Sequence, residues 1–467
     1  MDNEKIRIEP SRKELNSVIR NFQDSVVLNS DKEPILDILS LVDSPFREHP
    51  SNDLLSAYFH RIYKNTAIPP ALTIFTLLGF LSYWCVKQDI TYLRPDDYKA
   101  QNMNLWLMLL APQGTSKTIS FNIVQDNMAN EDREELEPNF YAGAGSAAFF
   151  QNLVNVKDGK VFWVKDEASQ FIRQMENPAS DLSNCKGYAL ESYDGKSLTR
   201  STKKDGEQKT HKITMVQIFI NTIASMLKHI SEESMYDGYM RRQGIVIVRR
   251  DINQDFTDHS LYKLSKVVCE ELAEKQSEVF GQLHLNGTEY TFDKESEVLF
   301  KTMFKTFWKQ QYEALLHGEE GEAIYSTNMH LAWKYAVLHH ILHIKSGSVI
   351  EADSMEWALK VCMYHLNSFK VFIKEKSESK RNTSIKIDTN RLERMWQFVK
   401  ENGNKSSITL RAVCRKFNMT KEEVVRSLMS LKVANPKAEY DILVLAQKES
   451  NKIEKKEKTN SLTIKGE

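Results

Sequence analysis

Residues 105–118 read Leu-Trp-Leu-Met-Leu-Leu-Ala-Pro-Gln-Gly-Thr-Ser-Lys-Thr. The first six are wholly apolar, a pattern that predicts a strand buried on both faces, as at the centre of a parallel sheet. The next eight, Ala111–Thr118, are mostly small or polar and end in Lys-Thr. A buried strand that breaks into such a turn and then enters a helix is the layout that wraps a phosphate. Pro112 shapes the turn, and the backbone N–H groups of Gln113, Gly114, Thr115 and Ser116 onward line it. Lys117 reaches the outer phosphates, and the Thr118 hydroxyl joins a bound Mg²⁺. In the pattern G-x-x-x-x-G-K-[ST], Ala111 stands at the first glycine and Ser116 at the second. Both are small, yet neither reaches positive φ as cheaply as glycine. On these residues alone, a plain strand–turn–helix carrying a surface lysine stays open.

The chain has 467 residues, 27% charged and 41% hydrophobic, which suits a globular protein of two to four domains. Lys plus Arg equals Asp plus Glu at 63 each, so any contact with nucleic acid has to come from local patches. Five cysteines, at 85, 185, 269, 362 and 414, form no Cys-x-x-Cys pair, which argues against a zinc site and a disulfide framework and for a reducing, cytoplasmic setting. The charged start MDNEKIRIEPSRKEL has no apolar core of a secretory signal. Ala71–Val86, after Pro69-Pro70, is greasy but carries Thr, Ser and Gly and falls short of about 20 apolar residues. It predicts a buried helix rather than a membrane span.

Residues 1–100 carry helical periodicity, for instance Val26–Val42 and Asn52–Lys64. Residues 101–255 alternate short β-rich runs with helical stretches, the signature of an α/β sheet domain. Its expected strands are Leu105–Leu110, Val161–Lys165, Ile213–Ile220 and Gly244–Val248. Helical periodicity returns over 256–375, and 376–390 lies in a polar, charge-dense stretch expected to be a linker. Residues 391–447 form a compact unit with expected helices at Arg391–Asn402, Leu410–Asn418 and Thr420–Lys432, the last opened by the capping box Thr420-Lys-Glu-Glu423. A wing-like strand, Ala438–Leu445, follows, and 448–467 is expected to be disordered. Helix-turn-helix spacing of this kind serves DNA binding and protein contacts alike.

Val161–Lys165 ends in Asp166-Glu167, 49 residues after Lys117 for the aspartate. In an ATPase the first carboxylate helps hold the Mg²⁺ shell and the second polarises the attacking water. Acids opening a helix at 168 would also suit its N-terminus. The strand Lys212–Ile220 ends in Asn221-Thr222, where a polar side chain either bonds a γ-phosphate or caps the next helix. Arg241-Arg242 precede the strand GIVIV; paired arginines at a turn are either solvated or placed to meet a phosphate. Between these lies 196–212, with Arg200, Lys203, Lys204, Lys209 and Lys212 around Asp205-Gly206, a hairpin signal. A basic hairpin suits the DNA backbone, and a solvated surface hairpin has the same composition. His339, His340 and His343 lie on an apolar helix without carboxylate–His spacing, so packing or surface roles are expected.

The ordered set APQGTSKT, FWVKDEASQF, ESYDGKSLT, FINT and DGYMRRQGIVIV resembles a family of phage, plasmid and genomic-island ATPases, helicase-like and frequently linked to primases. The resemblance spans about residues 60–375. The order is also similar to MCM-type AAA+ replicative helicases, in which a basic hairpin precedes the sensor-1 strand. It implies a Walker A role for Lys117 and Thr118, Walker B for Asp166 and Glu167, and sensor 1 for Asn221. Arg242, with Arg241 as competitor, matches the arginine finger, and Lys334 stands at a sensor-2 position.

The expectation is therefore an α/β protein: an AAA+-like P-loop NTPase core with a helical N-terminal region, a helical lid and a C-terminal winged helix. The resemblance implies an ATP- and Mg²⁺-dependent DNA helicase or translocase for a mobile element. It would work as a homo-hexameric ring on single-stranded or forked DNA, with a primase or initiator as partner and no membrane. A nucleotide-switched DNA-binding initiator and an ATP-driven effector acting on protein are the alternatives.

Overall fold

The structure, a computed structural model, describes residues 53–417 apart from 96, 129, 144, 203–205, 232–233, 235–237, 249–263, 283–287, 317–327, 386–393, 395–396 and 399–409. The expected helix at Val26–Val42, Lys203, Lys204, the capping-box helix, the wing strand and the C-terminal tail lie outside the described residues. The chain divides into two units, residues 1–373 and 374–467.

Among the described residues, the first unit begins with α1 (Leu54–Asn65), α2 (Pro70–Lys87), β1 (Thr91–Tyr92), β2 (Gln101–Asn102), β3 (Trp106–Ala111) and α3 (Lys117–Asp126). There follow α4 (Asn130–Glu135), α5 (Ser146–Asn155), β4 (Lys160–Asp166), α6 (Ala168–Glu176), α7 (Cys185–Tyr193), β5 (Ser197–Thr202), β6 (Gly206–Lys212) and β7 (Thr214–Thr222). Then come α8 (Ile223–His229), α9 (Gly238–Arg241), β8 (Gly244–Ile247), α10 (Lys266–Gln282), β9 (Glu289–Phe292), α11 (Lys294–Leu316), α12 (Leu331–Leu342), β10 (Val349–Ile350) and α13 (Ala352–Ile385). In the second unit α14 (Leu410–Phe417) is described, and Phe398 meets Phe417 edge-on at 5.7 Å.

The fold is mixed α/β. Its main sheet has the order β4-β7-β3-β8, and every pairing is parallel. All six residues of β3 are buried, as the unbroken apolar run predicts for a central parallel strand. The four expected strands all form, with ends shifted by one or two residues.

The Ala71–Val86 run becomes α2, with Pro70 at its first turn and every residue but Lys87 buried. Among the described residues it is the one helix long and apolar enough to cross a membrane, and 94% of that window is buried in the fold. It lies so close to the sheet that a Cβ on Gly79 would stand 2.5 Å from Ile218 Cδ1 of β7 and 3.4 Å from Leu107 of β3. Gly79→Ala is expected to cost up to about 2 kcal/mol net, as overpacking of about 1–3 kcal/mol is offset by the roughly 1 kcal/mol that alanine gains over glycine inside a helix. A lowered urea midpoint with unchanged m-value would report it.

The sheet's other face carries a ring cluster in which Trp163 meets Phe140, Phe149, Phe171 and Phe219 edge-on at 4.8–5.4 Å. Each such pair adds about 0.5–1.5 kcal/mol beyond the area it buries.

β8 is an edge strand, and α13 side chains satisfy its outer backbone groups. Ile247 N–H donates to Ser368 Oγ at 3.1 Å, and Tyr364 Oη donates to the Ile247 carbonyl at 2.9 Å. His365 Nδ1 lies 2.9 Å from the Ile245 carbonyl and Nε2 lies 2.7 Å from Tyr335 Oη. The carbonyl can only accept, so the proton sits on Nδ1 and Nε2 accepts from Tyr335. Full burial lowers the His365 pKa to about 4, with the Ile245 carbonyl opposing. The unfolded chain, titrating near 6.5, then binds more protons than the folded one between about pH 4 and 6.5. Stability is expected to fall on acidification through that window. His365→Asn should flatten part of the slope, measured as ΔG of unfolding against pH.

Two expectations need correction. The stretch 376–390 is not wholly linker, since α13 continues to Ile385. Residues 374–385 hold no Gly or Pro and are rich in Lys, Glu and Arg, which sustain a helix despite their charge. The helical regions also contain a second, four-stranded sheet of order β10-β9-β1-β2. Its strands are two to four residues long, too short to carry a readable period.

Candidate functional site

Parallel strands end together, so their C-terminal loops cluster at one edge of the sheet. Here β3, β7 and β4 are neighbours, with Ala111 beside Thr222 and Asp166 beside Ile220. The loops that leave them enclose a cleft of about 570 Å³, in the range of small-molecule sites. Gln113, Ser116, Lys117, Thr118, Asp166, Glu167 and Asn221 all line it.

The 111–118 loop is shaped by its own polar groups. Thr115 Oγ1 donates to the Pro112 carbonyl at 2.7 Å, and Lys117 Nζ donates to the same oxygen at 3.1 Å. Ala111, at the first glycine position, is the last buried residue of β3 and needs no positive φ. Ser116, at the second, sits at φ 56°, ψ 40°, the left-handed region that the pattern assigns to glycine. Glu167 does the same at φ 52°, ψ 41°, between β4 and α6. For L-residues this conformation costs about 1–2 kcal/mol each. Of the four non-glycine residues with positive φ among the described residues, these two face the cleft, while Asp89 and Ile344 lie elsewhere.

The loops meet through Thr118 Oγ1, which donates to Asp166 Oδ2 at 2.6 Å across 48 residues of sequence. The other oxygen, Asp166 Oδ1, accepts from Glu167 N–H at 2.8 Å. Desolvation lowers the Lys117 pKa, and the carboxylates of Asp166 and Glu167 oppose that shift. Asn221 is 4% exposed and its Oδ1 accepts from Thr222 N–H at 2.9 Å. Its Nδ2 is buried with no hydrogen-bond partner, a state that costs about 1–3 kcal/mol. A ligand oxygen in the cleft would relieve it.

The residues fit a small hard cation. Thr118 and Asp166 offer adjacent oxygens, and Mg²⁺ needs only one or two protein ligands when phosphates supply others. Among the described residues no group of three or more His, Cys, Asp or Glu could hold a metal.

Sequence reasoning had not singled out Ser169, Gln170 and Ser225, which also line the cleft. Their only signal was position, in the first turn of a helix that follows a site strand. Ser169 and Ser225 share a hydrogen bond of 2.7 Å.

Arg241, Arg242 and Lys334 lie elsewhere. β8 enters the sheet beside Leu107, roughly 13 Å along β3 from Ala111 at about 3.3 Å per residue. The two arginines precede β8 and so stand at the opposite end of the sheet from their own cleft. Arg242 bonds the Gly238 carbonyl at 3.0 Å and Asp194 at 3.2 Å, and its guanidinium lies 5.3 Å from the Tyr193 ring centre. The Arg241 Nε is buried without a partner.

Lys334, expected at a sensor-2 position, does not line this cleft. It is 6% exposed and donates to Asn104 through both the carbonyl and Oδ1, and to Tyr193 Oη at 3.3 Å. Burial drives its pKa down to about 7, with Arg94 and Arg242 adding repulsion and Asp194 opposing. Its place at the start of β3 gives it no access to the cleft.

The 196–212 hairpin forms as β5 paired antiparallel with β6. It leads directly into the N-terminal end of β7, so it too leaves the sheet opposite the cleft. Gly159 supports its base with φ +69°; a Cβ there would lie 2.0 Å from the Lys212 carbonyl oxygen. The basic residues divide between two faces. Lys209 is exposed, whereas Arg200 is half-buried on the face shared with Leu198 and Thr210. Lys212 is exposed at the base.

No known family model and no curated protein matches this chain.

Proposed function

We propose that this chain is an ATP hydrolase with an AAA+-like P-loop core that uses turnover to drive translocation on DNA. One observation supports it above the rest. Lys117, Thr118, Asp166, Glu167 and Asn221, drawn from three separate segments, line one cleft at the C-terminal ends of adjacent parallel strands.

In this reading the triphosphate follows the 111–118 loop toward the N-terminus of α3. Lys117 exchanges the Pro112 carbonyl for β- and γ-phosphate oxygens. Thr118 and Asp166 would hold Mg²⁺, which would supply charge neutralisation for the phosphates. Glu167 orients the attacking water, and Asn221 Nδ2 donates to the γ-phosphate or to that water. The water oxygen bonds to the γ-phosphorus as the bond to the β,γ-bridging oxygen breaks, leaving ADP and phosphate.

Arg242 or Arg241 faces away from its own cleft, which suits a role at the cleft of the next copy in a ring. The hairpin, with Lys209 and Lys212 exposed, contacts the DNA backbone without regard to sequence, and residues 391–447 act as a winged helix on duplex or partner. Single-stranded DNA is expected to raise ATP turnover several-fold, an effect lost in Lys209→Ala/Lys212→Ala while basal turnover stays. Turnover that ignores DNA would instead favour an effector acting on protein.

A further inference from the structure

Most large apolar side chains of the first unit are buried, but α11 displays two aromatics to solvent. Trp308 is 56% exposed and Tyr312 is 57% exposed. They follow Phe304 at four-residue intervals, so the three rings climb one side of the helix; Phe304 is half-buried, packed against the core beside Phe300 and His330, and anchors the row at its inner end. Phe304 and Trp308 lie nearly parallel, with ring centres 6.2 Å apart and planes 27° apart. The opposite side carries Leu299, Met303 and Phe307, all buried in the core. The core therefore has no claim on Trp308 or Tyr312.

Between Glu297 and Glu313 the charges on this helix are all positive. Lys301, Lys305 and Lys309 repeat at the same four-residue interval, and residues 301–312 include no acid. All three lysines are exposed. At 100° per residue, Lys301 and Lys305 fall in the same sector as Trp308 and Tyr312. Glu297, one turn before, is already engaged by Lys294 at 2.9 Å and by Lys301.

A face built for another protein helix would need apolar neighbours around its rings, whereas here each ring is flanked by lysine. The exposed rings of Trp308 and Tyr312, interleaved with cations, match a strand of unpaired nucleotides, whose bases stack while its phosphates meet the ammonium groups. We propose that the Phe304–Trp308–Tyr312 face of α11, with Lys301, Lys305 and Lys309, is a binding site for single-stranded nucleic acid, separate from the hairpin. It deepens the nucleic-acid reading of the function and rests on it.

The test is fluorescence anisotropy of labelled oligo(dT) with the full chain, across a range of salt. Trp308→Ala and Tyr312→Ala should each weaken binding about 5- to 100-fold, as expected for loss of a stacked base, with the salt slope unchanged. Lys305→Ala/Lys309→Ala should lower the slope of log K against log salt by about 0.7 per lost phosphate contact. Circular dichroism checks that the variants fold, and Trp308→Phe, which keeps a flat ring, should restore most of the affinity.

Wild-type affinity in Trp308→Ala/Tyr312→Ala overturns the inference and leaves the function standing. A change in sedimentation without a change in oligo(dT) affinity also overturns it, and identifies the face as a contact between copies. A wild-type chain that binds no oligo(dT) removes the nucleic-acid reading itself.

Discussion

Lys117→Ala is expected to abolish the proposed ATP hydrolysis, with kcat falling about a hundredfold or more, as for loss of a preorganised charge at a reacting oxygen. Arg241, Arg242 and Lys334 stand at the far end of the sheet, so among the described residues no other cation lines the cleft. The lysine already lies inside the loop, held by the Pro112 carbonyl. A neutral carbonyl is a weak partner for an ammonium, so a phosphate, whose hydrogen bonds to it are charge-assisted on both sides, competes for it easily. Steady-state phosphate release checks the loss. Glu167→Gln serves as its counterpart: nucleotide should still bind, because Thr118, Asp166 and Lys117 are intact, while turnover stops. Wild-type turnover in Lys117→Ala would remove the loop from the mechanism.

Arg242→Ala is expected to lower turnover about a thousandfold, within the range for an arginine supplied to a phosphoryl-transfer site, with nucleotide affinity nearly unchanged. The argument is geometric. The residue precedes β8, which starts beside Leu107, roughly 13 Å from the strand end that opens on the cleft, at about 3.3 Å per residue. It therefore serves a neighbour's cleft or none. Mixing Arg242→Ala with Glu167→Gln subunits then regenerates some interfaces with both intact halves, and activity should reappear. Mixed rings that form but stay inactive would assign Arg242 to its ion pair with Asp194 alone, and Arg241 would take the same test.

The site was legible because its residues sit where strands stop. The apolar runs ending at Leu110, Lys165 and Ile220 predicted three strands, and the polar residues just beyond each line the cleft. The strand order was not written in any one of those segments. Only pairing brings Ala111 beside Thr222 and Asp166 beside Ile220. The burial of Lys334 was not legible, because its neighbours in sequence, Trp333 and Tyr335, say nothing about depth. Its ammonium is tied to Asn104 of a segment 230 residues away. The small sheet escaped notice for a different reason: β1, β2 and β10 have two residues each, and pairing rather than side-chain pattern defines them. Ser116 illustrates the opposite case. The sequence flagged a residue poorly suited to positive φ, and the chain adopts that conformation there regardless.

The most direct measurement is an experimental structure of the chain with Mg²⁺ and a non-hydrolysable ATP analogue. The expected result has the terminal phosphate between Lys117 Nζ and Asn221 Nδ2, with the Thr118–Asp166 hydrogen bond opened to admit the cation. An analogue bound outside this cleft, or a cleft still closed by Thr118 and Asp166 at saturating nucleotide, would contradict the account.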